Sequence, residues 1–173
     1  MLTIAASGSR ENLTVGTDTA VGTGRNNTGL LMSKMGSSST HDDAYVSLPD
    51  GTTQYVRGAS AAGATYWDYY GNKQYIVTNP VTQVSYTDWF LPSKEELCLM
   101  EKELFHNGLG NFKEENGYNT VYWSSSEADA DKAVSVVFST NSEADGWTGN
   151  TDRSVSCYVR AVRAFTDTVS SST

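Results

Sequence analysis

The interval 127–152 holds the side chains best suited to recognition chemistry. Glu127, Asp129 and Asp131 precede an apolar run at 134–138, and Asn141, Glu143, Asp145, Trp147, Asn150 and Asp152 follow it. Carboxylates and amides give directional hydrogen bonds. Trp147, just after Gly146 in a polar stretch, is the large apolar side chain among them, and tryptophan is a common interface anchor. These nine residues are the candidate ligand-binding set. The same oxygens could in principle serve Ca²⁺, which takes six to eight of them. Neither stretch has the spacing of an EF-hand loop, and the Glu-Pro-Asn and Trp-Asn-Asp motifs of calcium-dependent lectins are absent. The expectation is therefore no metal and no cofactor.

Other groups read as structural. Ser124, Ser125 and Ser126 could suggest a nucleophile, but only His41 and His106 exist as bases, and neither lies in a triad context. Their hydroxyls are expected to satisfy loop backbone groups. His41-Asp42-Asp43 is consecutive, and consecutive loop residues rarely converge on one ion. Glu95 and Glu96 stand at a helix start, where carboxylates favour the dipole and the cap. Cys98 and Cys157 form no CxxC or zinc spacing. A bond between them would close a long loop and contribute roughly 4 kcal/mol on the chain-entropy argument. Cys98 lies off the main apolar stripe of its helix, so the pairing stays open. Arg160 and Arg163 fall on opposite faces of a regular strand, with one expected to pair with an internal carboxylate. Asn12-Leu13-Thr14 and Asn26-Asn27-Thr28 are glycosylation sequons by pattern.

Several elements must position these groups. Ser93-Lys94-Glu95-Glu96 spells a capping box, and Pro92 sharpens the helix start. Leu97, Met100 and Leu104 then give one buried face, and Asn107-Gly108 ends it. Ala59–Tyr70 reads as a further helix, stopped by Gly71-Asn72. Residues 15–40 are Gly-, Ser-, Thr- and Asn-rich and read as loop with at most short strands. Ala44–Leu48 and Gln54–Val56, with the Pro49-Asp50-Gly51 turn between them, suggest a hairpin. Val121–Trp123, Ala133–Phe138 and a longer run, Ser156–Phe165, read as strands. Trp89, Leu91 and Trp123 are expected in the core. Two helices packed on a mostly antiparallel, loop-rich sheet make an α+β domain. The expected boundaries are an N-terminal strand or linker remnant at 1–14, the domain at 15–166 and a flexible tail at 167–173.

Particular words in this sequence resemble one family. Asp88-Trp89-Phe90-Leu91-Pro92-Ser93-Lys94-Glu95-Glu96-Leu97, Tyr122-Trp123-Ser124-Ser125-Ser126-Glu127 and Val159-Arg160-Ala161-Val162-Arg163-Ala164-Phe165 are similar to its signatures. So is Val21-Gly22-Thr23-Gly24-Arg25-Asn26-Asn27-Thr28 upstream. The family is the Fibrobacter succinogenes major paralogous domain, also described as the C-terminal domain of the Legionella collagen-like adhesin. The resemblance covers about residues 15–165 with its motifs in order. It implies a C-type-lectin-like fold, an extracellular, cell-surface or virion location (a phage fibre included), and no catalytic residues. The stretch Tyr75–Ser85 looks longer than the family pattern and has no assignment.

Composition narrows the partners. The 173-residue chain carries a net charge of −8, so nucleic acid and other polyanions are repelled by most of its surface. No stretch approaches the ~20 apolar residues of a membrane span. The Met1–Ser7 start is too short and lacks the basic region of a signal peptide, which suggests a missing leader, a domain taken from a longer chain or export by another route, such as on a virion. The first expectation is thus a non-enzymatic module that recognises a host or cell-surface protein or glycan through the loops between the Tyr-Trp-Ser-Ser-Ser-Glu strand and the last strand. The second is a structural tip that forms a homo-trimer within a longer chain. A third is an enzyme of the formylglycine-generating branch of the same fold, which needs a reactive cysteine pair that Cys98 and Cys157 do not resemble.

Overall fold

The clearest local instruction is the Ser93 cap. The Ser93 hydroxyl accepts the Glu96 amide at 3.3 Å, and the Glu96 carboxylate accepts the Ser93 amide at 2.7 Å. This reciprocal pair starts a helix over Lys94–Glu103. A 3-10 turn, Phe105–Asn107, follows, and Gly108 ends it at φ 67°, a left-handed conformation that glycine adopts without a Cβ penalty. The stripe on this helix differs from expectation. Leu97 is fully buried and Met100 partly so, but Leu104 is exposed and Glu101 occupies the inner position instead. Glu101 can sit there because its carboxylate bonds the His106 ring at 2.7 Å.

The computed structural model describes residues 14–35, 76–113, 120–141, 144 and 146–165, together with short strands at 2–4, 10–12 and 54–57. The elements in order are β1 (Leu2–Ile4), β2 (Arg10–Asn12), α1 (Gly24–Met35), β3 (Gln54–Arg57), β4 (Val77–Thr78) and β5 (Ser85–Tyr86). Then come α2 (Lys94–Glu103), β6 (Thr120–Glu127), β7 (Lys132–Phe138), β8 (Thr148–Asp152) and β9 (Ser156–Val159). The main sheet runs β3-β9-β6-β7-β8. All its pairings are antiparallel except β6 with β9. The architecture is α+β: two helices packed on a mostly antiparallel sheet, with small hairpins beside it.

The sheet separates two apolar layers. Tyr122, Val136 and Phe138 pack with Leu97 and Phe105, and Cys98 touches this α2-side layer. Trp123 packs with Leu91, Ala133, Cys157 and Val159 in the other. This split follows from strand alternation, since Tyr122 and Trp123 must point to opposite faces. It also separates the thiols: Cys98 and Cys157 belong to opposite layers, and both are free.

Several expectations need correction. Residues 24–35, expected as loop, are helix α1. Gly24, Asn26, Asn27, Thr28 and Gly29 are weak helix formers, yet tertiary bonds hold them. The Thr28 hydroxyl donates to the Gly24 carbonyl at 2.9 Å and accepts the Leu91 amide at 3.0 Å. Asn27 accepts the Asp18 amide and donates to the Asp18 carbonyl. The long final strand stops at Val159. Beyond it, Val162 makes only an isolated bridge to Phe90. The unassigned stretch before Asp88 holds the β4–β5 hairpin. The helix expected at Ala59–Tyr70, the Ala44–Leu48 strand and His41-Asp42-Asp43 lie outside the described residues. Gln54–Val56 is part of β3, which pairs with β9.

The motif residues converge on the start of α2. The β6–β7 register shifts between Trp123 and Glu127. That shift frees Ser125 to donate its amide to the Pro92 carbonyl at 2.7 Å. The Ser126 hydroxyl accepts the Lys94 amide and donates to the Asp18 carbonyl, and the Ser124 hydroxyl donates to the Val134 carbonyl. The Glu95 amide donates to the Thr19 carbonyl at 3.0 Å, and Glu96 also accepts the Gly22 amide. The amides of the first α2 turn are therefore used by the protein itself.

Candidate functional site

The surface nearest the β6–β7 turn is shaped by one buried cation. Arg153 follows β8 and is 2% exposed. It donates to the Glu127 carboxylate at 3.2 Å and to the Asp129 and Lys132 carbonyls at 2.8 and 3.3 Å. Burial pulls its pKa down to about 10, still well above neutrality, so it stays charged. The other Glu127 oxygen accepts the Val15 amide at 2.9 Å, and the Glu127 amide donates to the Thr17 hydroxyl. Glu127 is thus turned inward, away from the contact surface that its sequence position suggests. Its work is to tie the segment before α1 and the chain after β8 to the end of β6.

Asp129 and Asp131 are exposed at the turn. The Asp129 carboxylate accepts the Asp131 and Lys132 amides, both at 2.8 Å, which fixes the hairpin in an Asx-type turn. Register places Lys132 opposite Asp152, and the Arg153 amide donates to the Asp131 carbonyl. The fold therefore brings Asp129, Asp131 and Asp152 to the same end of β8, with Lys132 beside them. Asp152 also accepts the Ser154 amide at 2.8 Å.

Asn141 and Trp147 belong to the other end. The Asn141 amide donates to the Ser139 hydroxyl, and the Asn141 carbonyl accepts the Ala144 amide. Gly146 has φ 62°, which turns the chain into β8. The Val137 amide donates to the Trp147 carbonyl at 2.8 Å, so Trp147 continues the β7–β8 ladder. Despite this fixed backbone, Trp147 is 70% exposed. Asn150 lies between the two ends, exposed, on a strand whose exposure alternates from Thr148 to Asp152. Glu143 and Asp145 lie outside the described residues.

Sequence reasoning does not single out Arg153, Lys132 or the edge position of β8. Nothing local marks them, because each depends on a strand order that joins distant segments. One of the final arginines pairs with a carboxylate, though with the half-exposed Asp88 rather than an internal one. Arg163 makes a two-pronged pair with Asp88, at 2.6 and 3.2 Å, and its guanidinium lies 4.0 Å from the Tyr86 ring centre and 4.5 Å from that of Phe165. The hydrogen bond from Arg163 holds the Asp88 carboxyl below its usual pKa. Arg160 donates to the Gly110 and Asn111 carbonyls and lies over Phe112.

Among the described residues, no group of three or more His, Cys, Asp or Glu side chains is placed to hold a metal ion, and no helix is long and apolar enough to cross a membrane. No known protein family matches the chain, and no curated protein matches it.

Proposed function

We propose that this chain is a non-catalytic recognition domain of C-type-lectin-like fold, displayed outside the cell or on a virion, that binds a protein or glycan along β8. The exposed Trp147 carries this reading. A tryptophan held by a ladder hydrogen bond yet left 70% exposed is an apolar surface in want of a partner. The motif residues support it from the other side. Ser93, Glu96 and Ser124–Ser126 are engaged in holding the fold, so of the motif and candidate residues the ones left to meet a partner are those exposed around β8. The Ser124 and Ser126 hydroxyls donate to backbone carbonyls, the Ser125 hydroxyl accepts the Asn27 side-chain amide, and the thiols of Cys98 and Cys157 have pKa values raised by burial, which leaves no activated nucleophile among them.

Glycan and protein arrays probed with the wild-type domain and with Trp147→Ala test this. Loss of about 2 kcal/mol of binding, roughly thirtyfold, at an unchanged melting temperature supports the surface. Array partners indifferent to Trp147→Ala, or a collapse in melting temperature, refute it.

An assembly role has its own support in the β4–β5 hairpin. Ile76, Val77, Val81 and Val84 are exposed there, and residues 76–87 carry no charge. Light scattering on the wild type and on Val81→Lys separates the two readings, since only an assembly contact makes the oligomer depend on that residue.

A further inference from the structure

We infer that the partner of β8 is an extended polypeptide that adds to the sheet as a further strand, basic at one end and aromatic at the other. This rests on the recognition reading above and names the class of ligand.

The first observation is the edge. Among the described residues, β8 closes one side of the main sheet. The Val137–Trp147 bond, with the register Ser135↔Gly149 and Ala133↔Thr151, turns the odd-numbered residues of β8 toward β7. The N–H and C=O groups of Thr148 and Asn150 therefore point away from the sheet, at the two-residue repeat of an extended backbone. A further strand matches donors and acceptors at that spacing.

The second observation is that β8 lacks the usual protection of an edge. Its sequence, Thr-Gly-Asn-Thr-Asp, contains no proline and no lysine, and its pairing with β7 is regular throughout. The single charge, Asp152, stands at one end.

The third is the distribution of side chains along the edge. At the Asp152 end, Asp129, Asp131 and Asp152 outnumber Lys132. At the other, Trp147 stands exposed on the face it shares with Val137. These ends are five positions apart, roughly 17 Å of extended chain. A strand antiparallel to β8 would place its first residue against Asp152 and its sixth against Trp147. Charge complementarity selects Arg or Lys for the first position, and ring stacking selects an aromatic for the sixth. A second copy of the chain is disfavoured as the occupant, because each copy carries −8.

The test uses a synthetic hexapeptide, Arg-Thr-Val-Thr-Val-Phe, and the same peptide N-methylated at both valines. The valine amides are the ones that would face β8. On the protein side, Asn150→Pro removes an outward N–H without touching the β7 ladder, a position where edge strands tolerate proline. The expected result is binding to the wild-type domain that falls at least tenfold with the methylated peptide, with the reversed sequence and with Asn150→Pro, while the melting temperature of the variant stays within a few degrees. The methylated peptide tests strand addition on the wild-type protein even if Asn150→Pro fails to fold. Absence of peptide binding, or equal binding of the methylated peptide, overturns strand addition. So does a concentration-dependent dimer of the domain alone that Asn150→Pro abolishes, which would assign the edge to a second copy. Should strand addition fail while Trp147-dependent array binding persists, the recognition reading stands and its ligand is not a strand. Should both fail, that reading falls as well.

Discussion

Gly24, the first residue of α1, lies so close to Ser93 that a Cβ on it would stand 2.8 Å from the Ser93 amide nitrogen. The Leu91 carbonyl oxygen would be 2.9 Å away, and the Glu96 carboxylate is nearer still. Two of these three are backbone atoms and cannot swing aside. Gly24→Ala should therefore cost about 1–3 kcal/mol by overpacking, measured by urea denaturation. Combining it with Glu96→Ala should not restore stability, because the backbone clashes remain. A neutral Gly24→Ala would show that α1 does not seat against the start of α2.

Trp123 is fully buried between Leu91, Cys157 and Val159. Trp123→Ala should lower stability by about 3–5 kcal/mol through the cavity it leaves. A loss below ~1 kcal/mol would mean that the β6 register is wrong and that Trp123 faces solvent.

Glu127 meets a buried guanidinium, so removing it strands a charge. Glu127→Ala should cost about 3–5 kcal/mol, whereas Asp131→Ala, at an exposed turn position, should stay within about 0.5 kcal/mol. Adding EDTA should leave the melting temperature of the wild type unchanged. A large drop that calcium reverses would assign the oxygen-rich turn to a metal.

The cysteines predict a chemical pattern. With Cys98 and Cys157 on opposite sides of the sheet, the domain purified in air should run identically with and without reductant and retain two alkylatable thiols after unfolding. In the native protein Cys98 should react first, because Cys157 is deeply buried and its pKa is pushed up to about 12. A raised thiol pKa favours the folded state below the unfolded value of about 9, and this contribution is lost as pH rises from there toward 12. Cys157→Ala should flatten that part of the alkaline stability profile.

Asp88 gives the opposite dependence. The Arg163 hydrogen bond holds its folded pKa below the ordinary 3.8. Its contribution is therefore present above that pH and lost as pH falls through the folded value. Asp88→Asn should narrow the stability difference between neutral pH and pH 3, read from urea midpoints. An acid profile identical to wild type would mean that the Asp88–Arg163 pair does not form in solution.

The parts legible in the sequence are those written within a few residues. Ser93 and Glu96 stand three apart, the reach of a capping box, so the start of α2 could be placed from residue types alone. Tyr122, Trp123 and the Val134–Phe138 run declare strands by β propensity, and the backbone-bonding hydroxyls expected of the three serines are found at Ser124 and Ser126, whereas that of Ser125 meets the Asn27 side chain. What the tertiary structure alone decided depends on contacts far apart in the chain. Val15 and Glu127 are separated by 112 residues, and their hydrogen bond, with Arg153, turns a carboxylate expected on the surface into an internal tie. α1 forms from weak helix formers because Asn27 and Thr28 find partners at Asp18 and Leu91, contacts that no propensity encodes. The edge position of β8 follows from the strand order. Its alternating polar sequence fits an edge and an interior strand alike, because a strand's own residues do not specify what lies beside them.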